Sequence, residues 1–172
     1  GSTVMYGIYN YYGGGNEDVS NNNIVWNTTG TSTGAHYGIY SYYNQGGTTG
    51  YFKNNTLTAG SFANSTSTLY GLYFYGNNET TMEMSGNSVM NITRNAVTTG
   101  SFYCLYGPYN ATNYSLPGTV CNMFNNTVTN ITYPSTATSG AIYAMYYLCG
   151  GYTNNIYNNV ISNITNSGTA AT

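Results

Sequence analysis

The chain has 172 residues, of which 3% are charged, and a formal net charge of −2. With Lys53 and Arg94 as its two basic side chains it has no means of neutralising a phosphate backbone, which excludes nucleic-acid binding. It also lacks a run of 18 apolar residues, so nothing in it inserts into a membrane as a spanning helix. The abundance of Asn, Thr, Ser and Gly resembles a disordered low-complexity segment, but 22 tyrosines and fixed aliphatic positions argue against disorder.

Two phrases alternate along the chain. The first unit opens with Tyr6-Gly7-Ile8-Tyr9 and continues with Val19-Ser20-Asn21-Asn22-Asn23-Ile24. The second repeats them as Tyr37-Gly38-Ile39-Tyr40 and Phe52-Lys53-Asn54-Asn55-Thr56-Leu57, the third as Tyr70-Gly71-Leu72-Tyr73 and Met84-Ser85-Gly86-Asn87-Ser88-Val89. The fourth carries Tyr103-Cys104-Leu105-Tyr106 and Met123-Phe124-Asn125-Asn126-Thr127-Val128. The fifth carries Tyr143-Ala144-Met145-Tyr146 and Ile156-Tyr157-Asn158-Asn159-Val160-Ile161. The leading tyrosines are 31, 33, 33 and 40 residues apart, and from Tyr143 through Thr172 and on into Gly1 the next Tyr6 follows after 35. The chain thus holds a whole number of repeats, and a period of this size means stacked units, not one globular core.

Each unit reads as short strands joined by an Asn turn and a variable polar loop, and the scarcity of helix formers excludes helix. The expected fold is all-β: a single parallel solenoid segment over residues 1–172, uncapped at both ends, with five rungs of about 34 residues. The recurring asparagines Asn22, Asn55, Asn87, Asn126 and Asn159 are expected to take the left-handed turn conformation and to stack as a hydrogen-bonded ladder. The tyrosines should stack in two columns. Strict strand alternation assigns Ile8, Ile39, Leu72, Leu105 and Met145 to the interior and the small residues before them to the opposite face. A second core column is Ile24, Leu57, Val89, Val128 and Ile161.

The Asn-turn phrase followed by the Tyr-Gly-Ile-Tyr strand resembles the right-handed parallel β-helix repeats of the pectate-lyase-like superfamily, and within it the repeats of non-catalytic secreted bacterial surface and fibre proteins. The resemblance covers nearly the whole chain and implies the fold and its right-handedness. It implies little about activity, because that superfamily includes lyases, hydrolases, epimerases, tailspikes and adhesins.

Enzymes resembling this fold use calcium-bound acidic residues with a basic partner, or paired carboxylates. Here Glu79 and Glu83 are the one closely spaced pair suited to glycoside cleavage, and they read more simply as charges on an exposed loop. Glu17-Asp18 is too small a set to hold a cation. His36 occupies the column of Met5, Leu69, Phe102 and Ile142, as a packing variant would. The expectation is therefore no catalytic residue, no metal and no cofactor.

Three cysteines allow one bridge and a free thiol. Cys121–Cys149 is the first choice because both flank corresponding loops of adjacent units; Cys104–Cys121 and three free thiols remain open. Glycan-attachment candidates are Asn27, Asn54, Asn64, Asn78, Asn91, Asn110, Asn113, Asn125, Asn130 and Asn163. A chain so rich in Asn, Ser and Thr generates many such tripeptides by chance, but Asn91, Asn130 and Asn163 share one repeat position. Thr56, Thr58, Thr127 and Thr129 suggest a threonine array of the ice-binding kind, interrupted in the other units. The leading expectation is a structural segment of an extracellular or cell-surface fibril, built by head-to-tail stacking of identical units and coated with glycans. The alternatives are a glycan-binding adhesin module and, third, an ice-binding or polysaccharide-active β-helix.

Overall fold

A computed structural model describes residues 3–11, 15–28, 33–42, 49–62, 67–76, 80–94, 99–110, 118–133, 140–150 and 153–166. Its strands come three to a repeat: β1 (Met5–Tyr11), β2 (Glu17–Ser20) and β3 (Asn23–Thr28), then β4 (His36–Tyr42), β5 (Thr49–Lys53) and β6 (Thr56–Phe62). They continue as β7 (Leu69–Gly76), β8 (Thr81–Ser85), β9 (Ser88–Arg94), β10 (Phe102–Asn110), β11 (Val120–Phe124) and β12 (Thr127–Tyr133). The last three are β13 (Ile142–Leu148), β14 (Thr153–Tyr157) and β15 (Val160–Asn166). Every third strand pairs in parallel, giving three five-stranded sheets in the orders β1-β4-β7-β10-β13, β2-β5-β8-β11-β14 and β3-β6-β9-β12-β15. The chain is an all-β solenoid of about four turns.

The sharpest corner of each turn takes two residues, between the second and third strands. The first of the two has a left-handed backbone: Asn21 (φ 60°), Asn54 (φ 53°), Gly86 (φ 63°), Asn125 (φ 55°) and Asn158 (φ 52°). This corrects the expectation for Asn22, Asn55, Asn87, Asn126 and Asn159. The strained conformation belongs to the residue before each of them, and the recurring asparagine follows it with its side chain turned along the solenoid axis. Asn and Gly are the residues that reach the left-handed region at least cost, so the corner phrase selects them.

In the first sheet strict alternation breaks down. Tyr37 and Tyr40 both face outward while Gly38 and Ile39 are both buried, and the pairing register passes from Tyr37–Tyr70 to Ile39–Leu72 without the glycine. The small column therefore lies on the same side as the aliphatic one, contrary to alternation. A Cβ added to Gly38 would stand 2.5 Å from the Gly71 carbonyl oxygen and 3.1 Å from a Leu57 methyl. Only a small residue lets the strand bend inward there. Cys104 fills the position in β10, fully buried and unbridged, with burial pushing its thiol pKa up.

The core is one column system whose buried members lie mainly in the second to fourth rungs: Ile39, Leu72 and Leu105 from the first sheet, Phe52, Met82, Met84 and Met123 from the second, and Leu57, Val89, Val128, Ile92 and Ile131 from the third. Of the core columns expected from the sequence, Ile8, Ile24 and Met145 are only partly buried against it and Ile161 is exposed, because each outer rung has a neighbour on one side alone. A disulfide joins Cys121 in β11 to Cys149 after β13, the pairing ranked first from the sequence. Arg94 is buried at the corner between the third and first sheets. Its guanidinium donates to Gly100 O at 2.8 Å and Ser67 O at 2.6 Å and lies over the Tyr133 ring, whose hydroxyl also donates to Gly100 O.

Candidate functional site

The asparagine corner builds a continuous polar line inside an apolar solenoid. Asn22 Nδ2 donates to Asn55 Oδ1 at 2.9 Å, Asn55 to Asn87 at 3.1 Å, Asn87 to Asn126 at 3.0 Å and Asn126 to Asn159 at 3.0 Å. The same Oδ1 atoms accept the backbone N–H of the preceding ladder residue at 3.0–3.1 Å. The second Nδ2 hydrogen of Asn55, Asn87 and Asn126 goes to Val19 O, Phe52 O and Met84 O, each at 2.8 Å. Asn55, Asn87 and Asn126 are thus buried with every side-chain polar group occupied, as a buried amide requires.

The outer face of the first sheet is a plate of tyrosine. Tyr6, Tyr37, Tyr70, Tyr103 and Tyr143 form one column and Tyr9, Tyr40, Tyr73, Tyr106 and Tyr146 a second, with ring centroids 4.5–5.4 Å apart and interplanar angles of 3–18°. Within each strand the two rings stand at 63–85°, so the columns interlock as a herringbone. A third column, Tyr11, Tyr42, Tyr75 and Tyr109, was not anticipated from the sequence. Edge-to-face and offset contacts of this kind add to area burial. Burial, then the neighbouring phenols, push Tyr37 up to about 12 and raise Tyr40, Tyr73 and Tyr106 as well.

Among the described residues the candidate chemical side chains do not converge. Glu79 lies outside the described residues, so the Glu79–Glu83 pair has no described geometry; Glu83 accepts a hydrogen bond from Ser85 at 2.6 Å. His36 is buried against Trp26, with burial first and Arg94 second lowering its pKa. Lys53 sits over the Tyr51 ring. Glu17 points inward, where Asn10 and Ser41 donate to its Oε1 while Oε2 is buried without a partner. Burial raises its pKa, and the Ser41 hydrogen bond partly offsets this.

Of the glycan candidates, Asn27, Asn54, Asn91, Asn125, Asn130 and Asn163 are exposed. Asn64, Asn78, Asn113 and the side chain of Asn110 lie outside the described residues. Asn91, Asn130 and Asn163 form a second, outer ladder: Asn130 Nδ2 donates to Asn91 Oδ1 and Asn163 Nδ2 to Asn130 Oδ1, each at 2.9 Å. All three have positive φ, 52–56°, so this repeat position is an outward bend in the third sheet. The outward threonines align as Asn23, Thr56, Ser88, Thr127, Val160 and Val25, Thr58, Met90, Thr129, Ser162, two mixed rows.

Among the described residues the exposed large apolar side chains lie in the two outermost rungs. Val4, Met5, Tyr6, Tyr9, Tyr11 and Val25 belong to the first rung and Tyr143, Ile156, Tyr157, Val160 and Ile161 to the last. No protein-family model, curated protein or solved structure matches the chain.

Proposed function

We propose that this chain is a structural segment of an extracellular fibril in which β-solenoid units stack end on end, and that it is not an enzyme. The observation that carries the reading is that, among the described residues, the exposed large apolar side chains belong to the first and last rungs. Apolar faces of this kind mark interaction surfaces, and the open strand edges beside them are templates for further strands. A following rung covers both, whether it comes from a second copy or from further repeats of a longer chain. A content of 3% charged residues removes the repulsion that keeps sheet edges apart.

We take the solenoid to be a right-handed β-helix of the pectate-lyase-like kind, and the outer asparagines Asn91, Asn130 and Asn163 to be sites of covalent glycans. At a strand spacing of about 4.8 Å, neighbouring glycans in that row would crowd one another, which favours partial occupancy. Glycans placed there would hinder lateral association and leave the axial faces open. The adhesin reading is weakened by the herringbone. Sugar stacking needs an open aromatic face, and within the columns each face is covered by the ring of the next rung.

Concentrating the purified chain and imaging it tests the reading. Filaments support it, and isolated particles at every concentration refute it. Intact-mass measurement before and after enzymatic removal of N-glycans from the natural material tests the glycan sites.

A further inference from the structure

We propose that the tyrosine columns are a site of oxidative cross-linking: an oxidant of the haem-peroxidase class, with hydrogen peroxide as the terminal electron acceptor, joins tyrosines of adjacent rungs through ortho ring carbons and so locks the rungs together. The inference goes beyond the filament reading and does not rest on it, because every pair concerned lies within one copy of the chain.

Parallel pairing in register sets each phenol of β4 over the matching phenol of β7, at the spacing of the strands. Tyr37 and Tyr70 have ring centroids 4.7 Å apart and planes 3° from parallel. Tyr40 and Tyr73 are 4.9 Å apart at 6°, and Tyr42 and Tyr75 are 4.4 Å apart at 10°. Ortho carbon therefore lies beside ortho carbon along each column. Neighbours on one strand do not offer this: Tyr37 meets Tyr40 edge to face at 81°, and Tyr70 meets Tyr73 at 85°. These inner-rung rings are half-buried on the outer face of the first sheet, so packing holds them in place while their outer edges meet solvent. Other tyrosines stand apart from the columns. Tyr51 has Asp18 and Glu83 as its register neighbours, and Tyr133 is buried against Arg94.

The chemistry balances with peroxide alone. Each of two stacked phenols gives up one electron and its hydroxyl proton, leaving two neutral phenoxyl radicals. Their unpaired electrons form one carbon–carbon bond between ortho positions, and the hydrogen on each of those carbons moves to the ring oxygen. The pair has lost two electrons and two protons, and one hydrogen peroxide takes up both and becomes two waters. Burial, then the neighbouring phenols, keep Tyr37 and Tyr73 protonated, so proton and electron leave together. Radicals held one strand spacing apart couple without a diffusional search, which favours the stacked partner over a tyrosine elsewhere. Tyr37 and Tyr70 are 33 residues apart in the chain, so each link closes a loop of one rung and restricts the unfolded chain as a disulfide does.

The experiment oxidises the whole chain with a haem peroxidase and hydrogen peroxide, at a dilution where chains rarely meet, and isolates the monomer fraction. Monomers should lose two hydrogens per link and gain dityrosine fluorescence. Peptide mapping should recover Tyr37 joined to Tyr70, Tyr40 to Tyr73 and Tyr42 to Tyr75. The linked monomer should unfold at a urea midpoint higher by about 1 M. The triple variant Tyr70→Phe, Tyr73→Phe, Tyr75→Phe keeps the stacked rings and removes the phenols of the third rung. It should keep its circular dichroism, form none of those three links and still join Tyr103 to Tyr143, whose rings are 4.5 Å apart. If it loses its β-sheet signal, the wild-type map decides alone. Monomers that stay unlinked, links within one strand or to Tyr51, or an undiminished yield from a folded triple variant overturn the assignment of the site. An unchanged urea midpoint in linked monomers overturns the locking of the rungs.

Discussion

In the aliphatic column after the asparagine corner, Leu57, Val89 and Val128 are 0% exposed, whereas Ile161, the same position in the last strand, is 53% exposed. The second sheet repeats the contrast: Met84 is fully buried and Met123 nearly so, while Ile156, next in their column, is 55% exposed. The residue types barely change between these positions. What changes is the number of neighbouring rungs. Burial in this molecule is supplied along the axis, so an inner rung is stabilised by two interfaces and an outer one by a single interface, as in a one-dimensional array.

The contrast is sharpest for charge insertion. Leu72→Asp sets an unpaired carboxylate among fully buried side chains and should cost more than about 4 kcal/mol, enough to unfold the chain. Ile161→Asp, with half its surface already in water, should cost under about 1.5 kcal/mol in the isolated chain. Urea titrations followed by circular dichroism measure both, and equal losses would contradict an axial origin of burial.

The ladder offers the next test. Asn87→Ala removes the acceptor of Asn55 N–H and Nδ2 and leaves Phe52 O and Asn126 Oδ1 each short of a donor, a loss of about 3–5 kcal/mol. Asn159→Ala deprives only Asn126 and Met123 O and should cost about half as much. Replacing Cys121 and Cys149 together by Ser opens a loop with a sequence separation of 28 and should cost about 2–4 kcal/mol. Non-reducing digestion should recover that pair joined, with Cys104 as a free thiol.

The smallest effect is alkaline. Tyr37 is raised from 10.0 to about 12, so the unfolded chain releases this proton at lower pH than the folded one. The associated stability is whole below pH 10 and drains away as pH rises from there towards 12. Replacing Tyr37 by Phe should flatten that part of a pH–stability curve.

The periodic part of this architecture was open to reading from the sequence because each rung repeats the same physical problem. Tyr-Gly-Ile-Tyr and the Asn corner recur with their spacing, and columns follow from stacking. What the sequence hid were departures from strand alternation and contacts between dissimilar residues. Gly38 turns inward beside Ile39 because the strand bends there, and a rule of alternating faces places it on the wrong side. The left-handed backbone sits on Asn54, not Asn55, and two adjacent asparagines look alike in sequence although one makes the bend and the other the ladder. Arg94 bonds to backbone carbonyls and lies over a tyrosine ring, partners that a search for charge pairs does not reveal. Glu17 turns inward to Asn10 and Ser41, residues of the first sheet that fall outside both repeated phrases.

The central claim is that the two end faces of this solenoid complete one another, and electron cryomicroscopy of the concentrated chain tests it most directly. Copies stacked in register should give filaments with an axial repeat of five strand spacings, about 24 Å, and a rung spacing of about 4.8 Å unbroken across each junction. Separate particles at high concentration, or filaments whose axial repeat departs from five strand spacings, would contradict the account.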